Sequence, residues 1–175
     1  MERAIEVYVK PMEQGHLDDI VKIYLSSFKG MRSEDVVKRW FECNMRAYPR
    51  MQYFVALSEG RVVGYILWIE KGGFREESVW ELEQIAVDPG FRGLGVGRRL
   101  IEDSISYLRI YLERRQPRSK LKLILVSSGS SNEIARRLYE KVLGAREEAV
   151  LRDFYRGDEV IYIARYHTDR SISDA

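Results

Sequence analysis

Cysteine, histidine and long apolar runs are scarce in this sequence, and each scarcity excludes a class of function. The single cysteine, Cys43, excludes an intrachain disulfide and a zinc cage built from thiolates. Cys43 falls in a predicted helix, where we expect a small buried side chain rather than a nucleophile. The two histidines, His16 and His167, lie near opposite ends of the chain, so no histidine zinc site and no metal is predicted. No signal peptide and no apolar run as long as a membrane span is evident, which predicts a cytoplasmic protein without a membrane partner.

Charge and length set further limits. The net charge of +2 on 175 residues is too small to indicate nucleic acid binding, although basic residues gather at 92–99 and at 109–122. Most such clusters are solvated helix faces, but this one can also meet the phosphates of a ligand. The length predicts one domain over residues 1–167, followed by a polar tail at 168–175 that we expect to be disordered.

The most informative stretch, residues 79–99, combines a strand, a turn and a glycine-rich helix start. Residues 79–87 are rich in β-branched and aromatic side chains, which predicts a strand buried on at least one face. The sequence Asp-Pro-Gly at 88–90 predicts a sharp turn at the carboxyl end of that strand. Three glycines at 93–97 then precede apolar residues at helical spacing. Because glycines expose backbone N–H groups and a helix N-terminus adds unpaired donors, the stretch predicts an anion site.

Two common phosphate motifs are excluded by spacing. The dinucleotide fingerprint needs a glycine at the position of Arg98, and the triphosphate loop needs a Gly-Lys-Ser/Thr sequence that this chain lacks. A flexible connection is the alternative reading of the glycines. The pattern Arg92-x-x-Gly95-x-Gly97, between a strand and an amphipathic helix, resembles the pyrophosphate loop of the GNAT acyltransferase superfamily. The resemblance implies acetyl-coenzyme A as the cofactor, bound at this loop by Arg92, Gly93, Leu94, Gly95, Val96, Gly97 and Arg98.

A second segment resembles the other helix motif of the same superfamily. It begins at Asn132 and follows the pattern Asn-x-x-Ala-x-x-Leu-Tyr-x-Lys, with one additional residue before Gly144 and with Ala145 in place of the usual aromatic residue. Asn132, Ala135 and Tyr139 share a helical face. The resemblance implies that Asn132 and Tyr139 contact the cofactor and that Tyr139 is the acid that protonates the departing thiolate. Taken alone, Tyr139 can also be a core tyrosine.

The order of the predicted elements fits this superfamily. A strand at 5–9, two helices, three strands, a helix, a strand, a loop at 127–131, a helix and a hairpin predict an α/β (α+β) fold. The expected architecture is a mixed, mostly antiparallel central sheet of about seven strands with helices on both faces. The resemblance implies that the fourth and fifth strands splay apart, and that the pantetheine arm of the cofactor pairs with the backbone of Ile85, Ala86 and Val87.

Acetyl transfer also needs a group that removes a proton from the amine, since a lysine pKa is about 10.4 and an α-amine pKa about 8. Glu81 and Glu83 alternate on one face of the strand before the loop, and we expect one of them to act as the base, directly or through water. Alternatively, both simply solvate the rim of the sheet. Acetyltransferases of ribosomal-protein N-termini place a glutamate on the fifth strand, five residues before the helix asparagine. Here that position is Ser127, so a base on the fifth strand is absent.

The acceptor is indicated by the end of the chain. Residues 154–160, Phe-Tyr-Arg-Gly-Asp-Glu-Val, resemble the final hairpin of protein N-terminal acetyltransferases, where aromatic residues line a peptide groove. We therefore expect Tyr155 to bind the substrate. We expect the same of Phe28, on the first predicted helix, because the resemblance implies that the first two helices flank the acceptor pocket. The predicted function is acetyl-coenzyme A-dependent N-acetylation of a protein or peptide amine, an N-terminal α-amine or a lysine, by direct transfer in a ternary complex. A small amine such as a polyamine or an aminoglycoside, and a non-catalytic sensor of acyl-coenzyme A, are the alternatives. A monomer and a homodimer are both compatible with the sequence.

Overall fold

The computed structural model describes residues 5–30 and 32–166, over which the chain forms seven strands and four α-helices. In chain order the elements are β1 (Tyr8–Pro11), α1 (Leu17–Ser27), α2 (Glu34–Arg46), β2 (Met51–Ser58), β3 (Arg61–Lys71), β4 (Glu77–Val87), α3 (Val96–Arg115), β5 (Lys120–Gly129), α4 (Glu133–Leu138), β6 (Arg146–Leu151) and β7 (Glu159–Arg165). None of the described helices is both long enough and apolar enough to cross a membrane.

The strands are hydrogen-bonded in the order β1-β2-β3-β4-β5-β7-β6. The pairs β1-β2, β2-β3, β5-β7 and β6-β7 are antiparallel, whereas β4 and β5 are parallel neighbours. This mixed, mostly antiparallel sheet of seven strands confirms the predicted fold class.

The chain divides into two compact units. The first unit contains the described residues up to Ile69 together with Leu82–Tyr107, and the second contains Glu70–Glu81 and the described residues from Leu108 onward.

The core of the first unit lies where α1 and α2 pack on β2 and β3. Apolar residues at helical spacing on α1 and α2 bury one face of each helix, and Ile20 and Phe41 are fully buried there. The Phe41 ring lies 5.5 Å from the rings of both Tyr53 and Tyr65, so aromatic contacts join α2 to the two strands. Ser33 caps α2, accepting a hydrogen bond from the backbone N–H of Val36 at 3.4 Å, as its position in the sequence predicts.

In the second unit, the end of α3 packs against the end of β3 and the first half of β4. Trp80 of β4 is fully buried, and its ring lies 6.0 Å from that of Tyr111 on α3. A buried ion pair joins Arg115 at the end of α3 to Glu70, and Ser78 donates a hydrogen bond of 2.7 Å to the same carboxylate. Glu70 is therefore satisfied by two partners, which a buried charge requires.

Two strands begin or end at residues other than those predicted from the sequence. The first strand covers Tyr8–Pro11 rather than residues 5–9, because its partner on β2 pairs with Pro11 as well as with Tyr8. β1 stands at the end of the strand order, where a proline is tolerated. The predicted loop at 127–131 is strand as far as Gly129, because β7 extends far enough to pair with it.

The expectation that Cys43 is buried is also wrong. The buried positions of α2 are Val37, Phe41 and Asn44, which repeat at helical spacing. Cys43 lies between two of these positions in sequence but points away from that face, and it is exposed. The predicted tail at 168–175 lies outside the described residues.

Candidate active site

In the first unit, the glycine loop between β4 and α3, residues 92–98, exposes backbone that no side chain covers at Gly93 and Gly95. Gly93 and Gly95 have φ angles of +76° and +81°, a region that side chains with a Cβ rarely adopt. A Cβ placed on either glycine would meet no atom within 4 Å, so the space above the loop is open. The first N–H groups of α3 lack partners within the helix, as at any helix N-terminus. An anionic group can therefore approach the backbone of this loop closely, and a pyrophosphate fits it.

Arg92 fastens this loop to the elements around it. Its Nε donates to the carbonyl oxygen of Val87 at 3.1 Å, and one terminal nitrogen donates to the hydroxyl of Ser27 at 3.0 Å. The preceding turn is held by Asp88, which accepts from the backbone N–H of Gly90 at 2.8 Å. The guanidinium therefore anchors the loop, while its predicted contact with the cofactor stays a prediction.

The loop and the helix that follows pack closely on β3 at Gly64. A Cβ at this position would lie 3.0 Å from the carbonyl oxygen of Ala86, 3.1 Å from Leu100 Cδ1 and 3.3 Å from Val96 Cγ1. A methyl group here would force these neighbours to shift by a few tenths of an ångström, so glycine favours the close approach of β3 to the end of β4 and the start of α3.

The other predicted loop residues divide by their surroundings. Val96 is buried, so it can offer a ligand only its backbone, whereas Leu94 is 45 % exposed at the tip of the loop. Arg98 is exposed and forms an ion pair of 3.4 Å with Glu102, one turn along α3. The structure thus brings the whole predicted loop and the predicted strand residues Ile85, Ala86 and Val87 together in the first unit.

The two glutamates predicted as bases have different surroundings on β4. Glu81 is half-buried and pairs with Lys71, whose Nζ lies 2.8 Å from its carboxylate. Glu83 is exposed, and its charge adds to the effect of burial in raising the pKa of Tyr53. Glu83 therefore acts electrostatically on an aromatic group of the first unit, whereas Glu81 pairs with Lys71.

Sequence reasoning did not identify the polar groups around Tyr53. The Tyr53 hydroxyl accepts a hydrogen bond of 3.0 Å from Asn44 of α2, and the Tyr65 hydroxyl donates one of 2.6 Å to Gln84 of β4. Strand alternation predicts which face of the sheet each tyrosine occupies. It does not predict the hydrogen-bond partners, because those depend on how α2 and the strands pack together. The predicted substrate residue Phe28 is half-buried and lies with its ring 4.9 Å from that of Tyr24.

In the second unit, Tyr139 is a buried phenol at the end of α4. Burial, and secondarily the charge of Glu159, raise the pKa of Tyr139 to about 12. The hydroxyl is therefore protonated at neutral pH and can act as a proton donor. From Tyr139 to Leu143 the helix widens into a π turn that ends at Gly144, whose φ is +64°. This wider turn accommodates the additional residue that distinguishes the segment from the superfamily motif.

Asn132 lies at the N-terminus of α4, as predicted. Its side chain accepts a hydrogen bond of 3.3 Å from the backbone N–H of Ala135 and so caps the helix. The cap accounts for the asparagine without a ligand, and its contact with the cofactor stays a prediction.

Glu159 is a second residue that sequence reasoning missed. It is only 9 % exposed, and its Oε1 accepts a hydrogen bond of 3.1 Å from the hydroxyl of Ser127. The available signal was an acidic residue at the start of β7, directly before the apolar run of that strand. A strand boundary is normally a solvated position, so the sequence gives no reason to expect a buried carboxylate there.

The turn between β6 and β7 exposes two aromatic side chains. Phe154 and Tyr155 are 51 % and 75 % exposed, and their rings lie 4.6 Å apart. Asp158 fixes the turn beneath them by accepting from the backbone N–H of Asp153 at 3.2 Å and from Arg152 at 2.5 Å. The predicted substrate residue Tyr155 is therefore accessible, on a turn that is held in place by hydrogen bonds. Across the part of the chain that the structure describes, no group of three or more His, Cys, Asp or Glu is placed to hold a metal ion.

Comparisons with known proteins agree with this architecture. A family model described as the acetyltransferase (GNAT) family matches residues 17–145. The N-alpha-acetyltransferase RimI of Mycobacterium tuberculosis is 34 % identical over 110 residues, which is 61 % of this chain and 69 % of that protein. The crystal structure of the ribosomal-protein-S18-alanine N-acetyltransferase of Escherichia coli has a TM-score of 0.71 at 22 % identity, covering 94 % of this chain and 98 % of that one. A spermidine N-acetyltransferase, a chimera of Vibrio cholerae SpeG and hSSAT, has a TM-score of 0.71 at 21 % identity over 91 % and 95 %. The two solved structures share the fold of this chain.

Proposed function

Because the chain belongs to the GNAT acetyltransferase family and is an N-acetyltransferase, we propose that it transfers an acetyl group from acetyl-coenzyme A to a primary amine of a protein or peptide. The acceptor is an N-terminal α-amine or a lysine, and the transfer is direct, within a ternary complex. The observation that carries the proposal is the open loop at Gly93 and Gly95, where both φ angles are positive and an added Cβ would meet no atom of the described residues within 4 Å. We keep the cytoplasm as the proposed location.

The first unit is proposed to bind the cofactor. Acetyl-coenzyme A supplies an acetyl group activated as a thioester. The N–H groups of the loop and of the first turn of α3 hold the pyrophosphate, because they combine unpaired donors with the positive end of the helix dipole. The backbone of Ile85, Ala86 and Val87 remains the proposed partner of the pantetheine arm, which would pair with it like an added strand.

The second unit is proposed to supply the acid. Tyr139 is protonated at neutral pH, and a buried phenol can give its proton to a thiolate as the carbon–sulfur bond breaks. Asn132 is proposed to contact the cofactor as well as cap α4. The proposed bases on β4 are Glu81 and Glu83. Of these two we favour Glu83, because its charge raises the pKa of Tyr53, one of the aromatic residues of the first unit.

The peptide acceptor is supported by the exposed aromatic pair at the β6–β7 turn. Phe154 and Tyr155 present large rings on a turn that Asp158 holds in place, and exposed aromatic residues of this kind are enriched at sites of protein recognition. The RimI protein of Mycobacterium tuberculosis, which is 34 % identical over its matched region, is named an N-alpha-acetyltransferase. Phe28 is proposed to contact the same acceptor.

A panel of acceptors tests the proposal. The purified protein is given acetyl-coenzyme A with peptides that have free N-termini, with lysine peptides whose N-termini are blocked, and with spermidine. We expect turnover of one of the peptide classes and no turnover of spermidine. Selective turnover of spermidine assigns the chain to small amines instead. Tight binding of acetyl-coenzyme A without acetylation of any amine supports a sensor, the non-catalytic alternative.

The role of the aromatic pair is tested by Tyr155→Ala. The expected result is a several-fold rise in KM for the preferred peptide with an unchanged affinity for coenzyme A. Tyr48→Ala is the matched control, because Tyr48 is similarly exposed but lies outside the proposed site. Equal effects of the two substitutions would contradict a peptide contact at Tyr155.

A further inference from the structure

We propose that Glu159 on β7, rather than Glu81 or Glu83 on β4, supplies the carboxylate that accepts the proton of the acceptor amine, beside Ser127 of β5. The inference deepens the proposed function and rests on it. It concerns only residues of the second unit, namely Glu159, Ser127, Gly129 and Tyr139.

Strand register directs the Glu159 side chain toward Ser127. In the antiparallel pair of β5 and β7, Gly129 lies opposite Glu159 and Ser127 lies opposite Ile161. Side chains two residues apart on a strand share a face, so Glu159 and Ser127 are diagonal neighbours on one face. Their contact of 3.1 Å, from the Ser127 hydroxyl to Glu159 Oε1, agrees with this register.

The absence of a side chain at Gly129 keeps that face open for the carboxylate. The other oxygen of Glu159, Oε2, lies 3.9 Å from the point where a Cβ of Gly129 would be. A larger residue opposite Glu159 would extend into this space. The carboxylate of Glu159 can therefore lie over β5.

A contribution to protein stability does not explain why Glu159 is buried. A buried carboxylate is normally neutralised by a cation, yet among the described residues no lysine or arginine forms an ion pair with Glu159. The hydroxyl of Ser127 is a weaker partner than a cation. A structural ion pair therefore does not account for the burial of Glu159.

Glu159 also acts on the proposed acid. Its charge is the electrostatic contribution to the raised pKa of Tyr139, after the larger contribution of burial. The carboxylate and the phenol therefore lie close enough to interact, which an acid and a base serving the same reaction require. Glu81 and Glu83 belong to β4 and do not contribute to this shift.

The proton balance of the reaction uses both groups. The acceptor arrives as an ammonium ion, and its first proton passes to the carboxylate of Glu159. The nitrogen lone pair then forms a bond to the acetyl carbon, the carbon–sulfur bond breaks, and the second nitrogen proton leaves to solvent. Tyr139 gives its proton to the departing sulfur and recovers one from the carboxylic acid of Glu159. The products are the amide, coenzyme A as a thiol and one proton in solution.

The test compares isosteric substitutions of three glutamates. Glu159→Gln preserves the size of the side chain and its hydrogen bond to Ser127 but cannot accept a proton, so kcat should fall roughly 100-fold. Its Kd for coenzyme A should stay within about twofold, since the proposed loop contacts are untouched. Glu148→Gln is the matched control, because Glu148 lies in the same hairpin, is exposed and pairs only with Arg165 at the surface. Glu83→Gln, measured beside them, shows whether the base lies on β4 instead.

An exchange variant tests the position of the carboxylate directly. Combining Ser127→Glu with Glu159→Ser returns the glutamate to β5 and keeps the same two side chains in contact. We expect this variant to recover about tenfold or more of the kcat lost in Glu159→Gln. If Glu159→Gln does not fold, a kcat of the exchange variant within about tenfold of the wild type supports the proposal. A kcat for Glu159→Gln within about threefold of the wild type would overturn the proposal, as would an exchange variant that folds but is inactive.

A spectroscopic titration separates this inference from the proposed function. The ultraviolet absorbance of tyrosinate, taken as the difference between a protein and its Tyr139→Phe form, reports the ionisation of Tyr139 without any substrate. Glu159→Gln should lower the pKa of Tyr139 from its value of about 12, and Glu148→Gln should leave it unchanged. A wild type that acetylates no amine would remove the proposed function even if this shift appears. An active wild type with no such shift would remove the coupling of Glu159 to Tyr139 alone.

Discussion

Replacing Gly64 by alanine gives the sharpest test of how the loop is positioned. The added methyl group would meet the carbonyl oxygen of Ala86 at 3.0 Å and the side chains of Leu100 and Val96 at 3.1 and 3.3 Å. The two side chains can shift by a few tenths of an ångström, but the carbonyl oxygen belongs to a paired strand and can move only with the backbone. The strain therefore falls on the end of β4, where the pantetheine arm is proposed to pair.

Two magnitudes follow from these contacts. Overpacking of this kind costs about 1–3 kcal/mol in a well-packed core, so the free energy of unfolding should fall by about 2 kcal/mol. For a chain of this length, about 2 kcal/mol corresponds to a drop in Tm of roughly 4–8 °C. Because the Ala86 backbone must shift, the Kd for coenzyme A should also rise about tenfold, a loss of about 1.4 kcal/mol.

Denaturant unfolding and calorimetric titration with coenzyme A measure the two effects. Gly15→Ala is the matched control, since a Cβ at Gly15 meets nothing within 4 Å and its φ is not positive. It should change stability by no more than about 0.5 kcal/mol and leave the affinity for coenzyme A unchanged. If Gly64→Ala unfolds at the same denaturant concentration as Gly15→Ala, the close packing of β3 against the loop is refuted.

Three further substitutions probe the loop, the buried ion pair and the buried phenol. Gly95→Ala forces a residue with a Cβ to adopt a φ of +81°, at a strain of roughly 1–2 kcal/mol. Calorimetry should therefore give a Kd for coenzyme A about tenfold higher, and an unchanged Kd would contradict the loop assignment. Glu70→Gln leaves the buried guanidinium of Arg115 without its charged partner and should lower the free energy of unfolding by about 3 kcal/mol in urea; a loss below about 1 kcal/mol would show that the pair is solvated. Tyr139 has a raised pKa in the folded state, so the free energy of unfolding of the wild type should fall as pH rises from about 10 to 12. This group accounts for up to about 3 kcal/mol of the fall, and Tyr139→Phe should lack that contribution.

Local chemistry explains which parts of the fold could be predicted from the sequence. Ser33 before an amphipathic run predicts the start of α2, because the cap bond forms within one turn of the helix. Glu59 and Gly60 predict the β2–β3 turn, where both φ angles are positive. The glycines at 93–97 mark the loop for the same reason: their conformation depends on neighbours in the chain.

The parts that failed depend on contacts between distant residues. Residues 127–129 lack the β-branched and aromatic side chains typical of a strand, and they become one only because β7 pairs with them. Cys43 is apolar enough to be buried, but its position on α2 relative to Phe41 decides its exposure. Glu159 cannot be found from spacing, because its importance arises from Ser127 and Tyr139, which are near in space and remote in sequence.

The most direct test of acetyl transfer follows both products of one reaction mixture. The wild-type protein is mixed with acetyl-coenzyme A and the preferred peptide, the release of coenzyme A is measured as free thiol, and the acetylated peptide is measured by mass spectrometry. We predict equal amounts of thiol and acetylated peptide, with kcat strongly reduced in Tyr139→Phe. Thiol release that is independent of the peptide, or no release from a protein that binds acetyl-coenzyme A, would contradict the account.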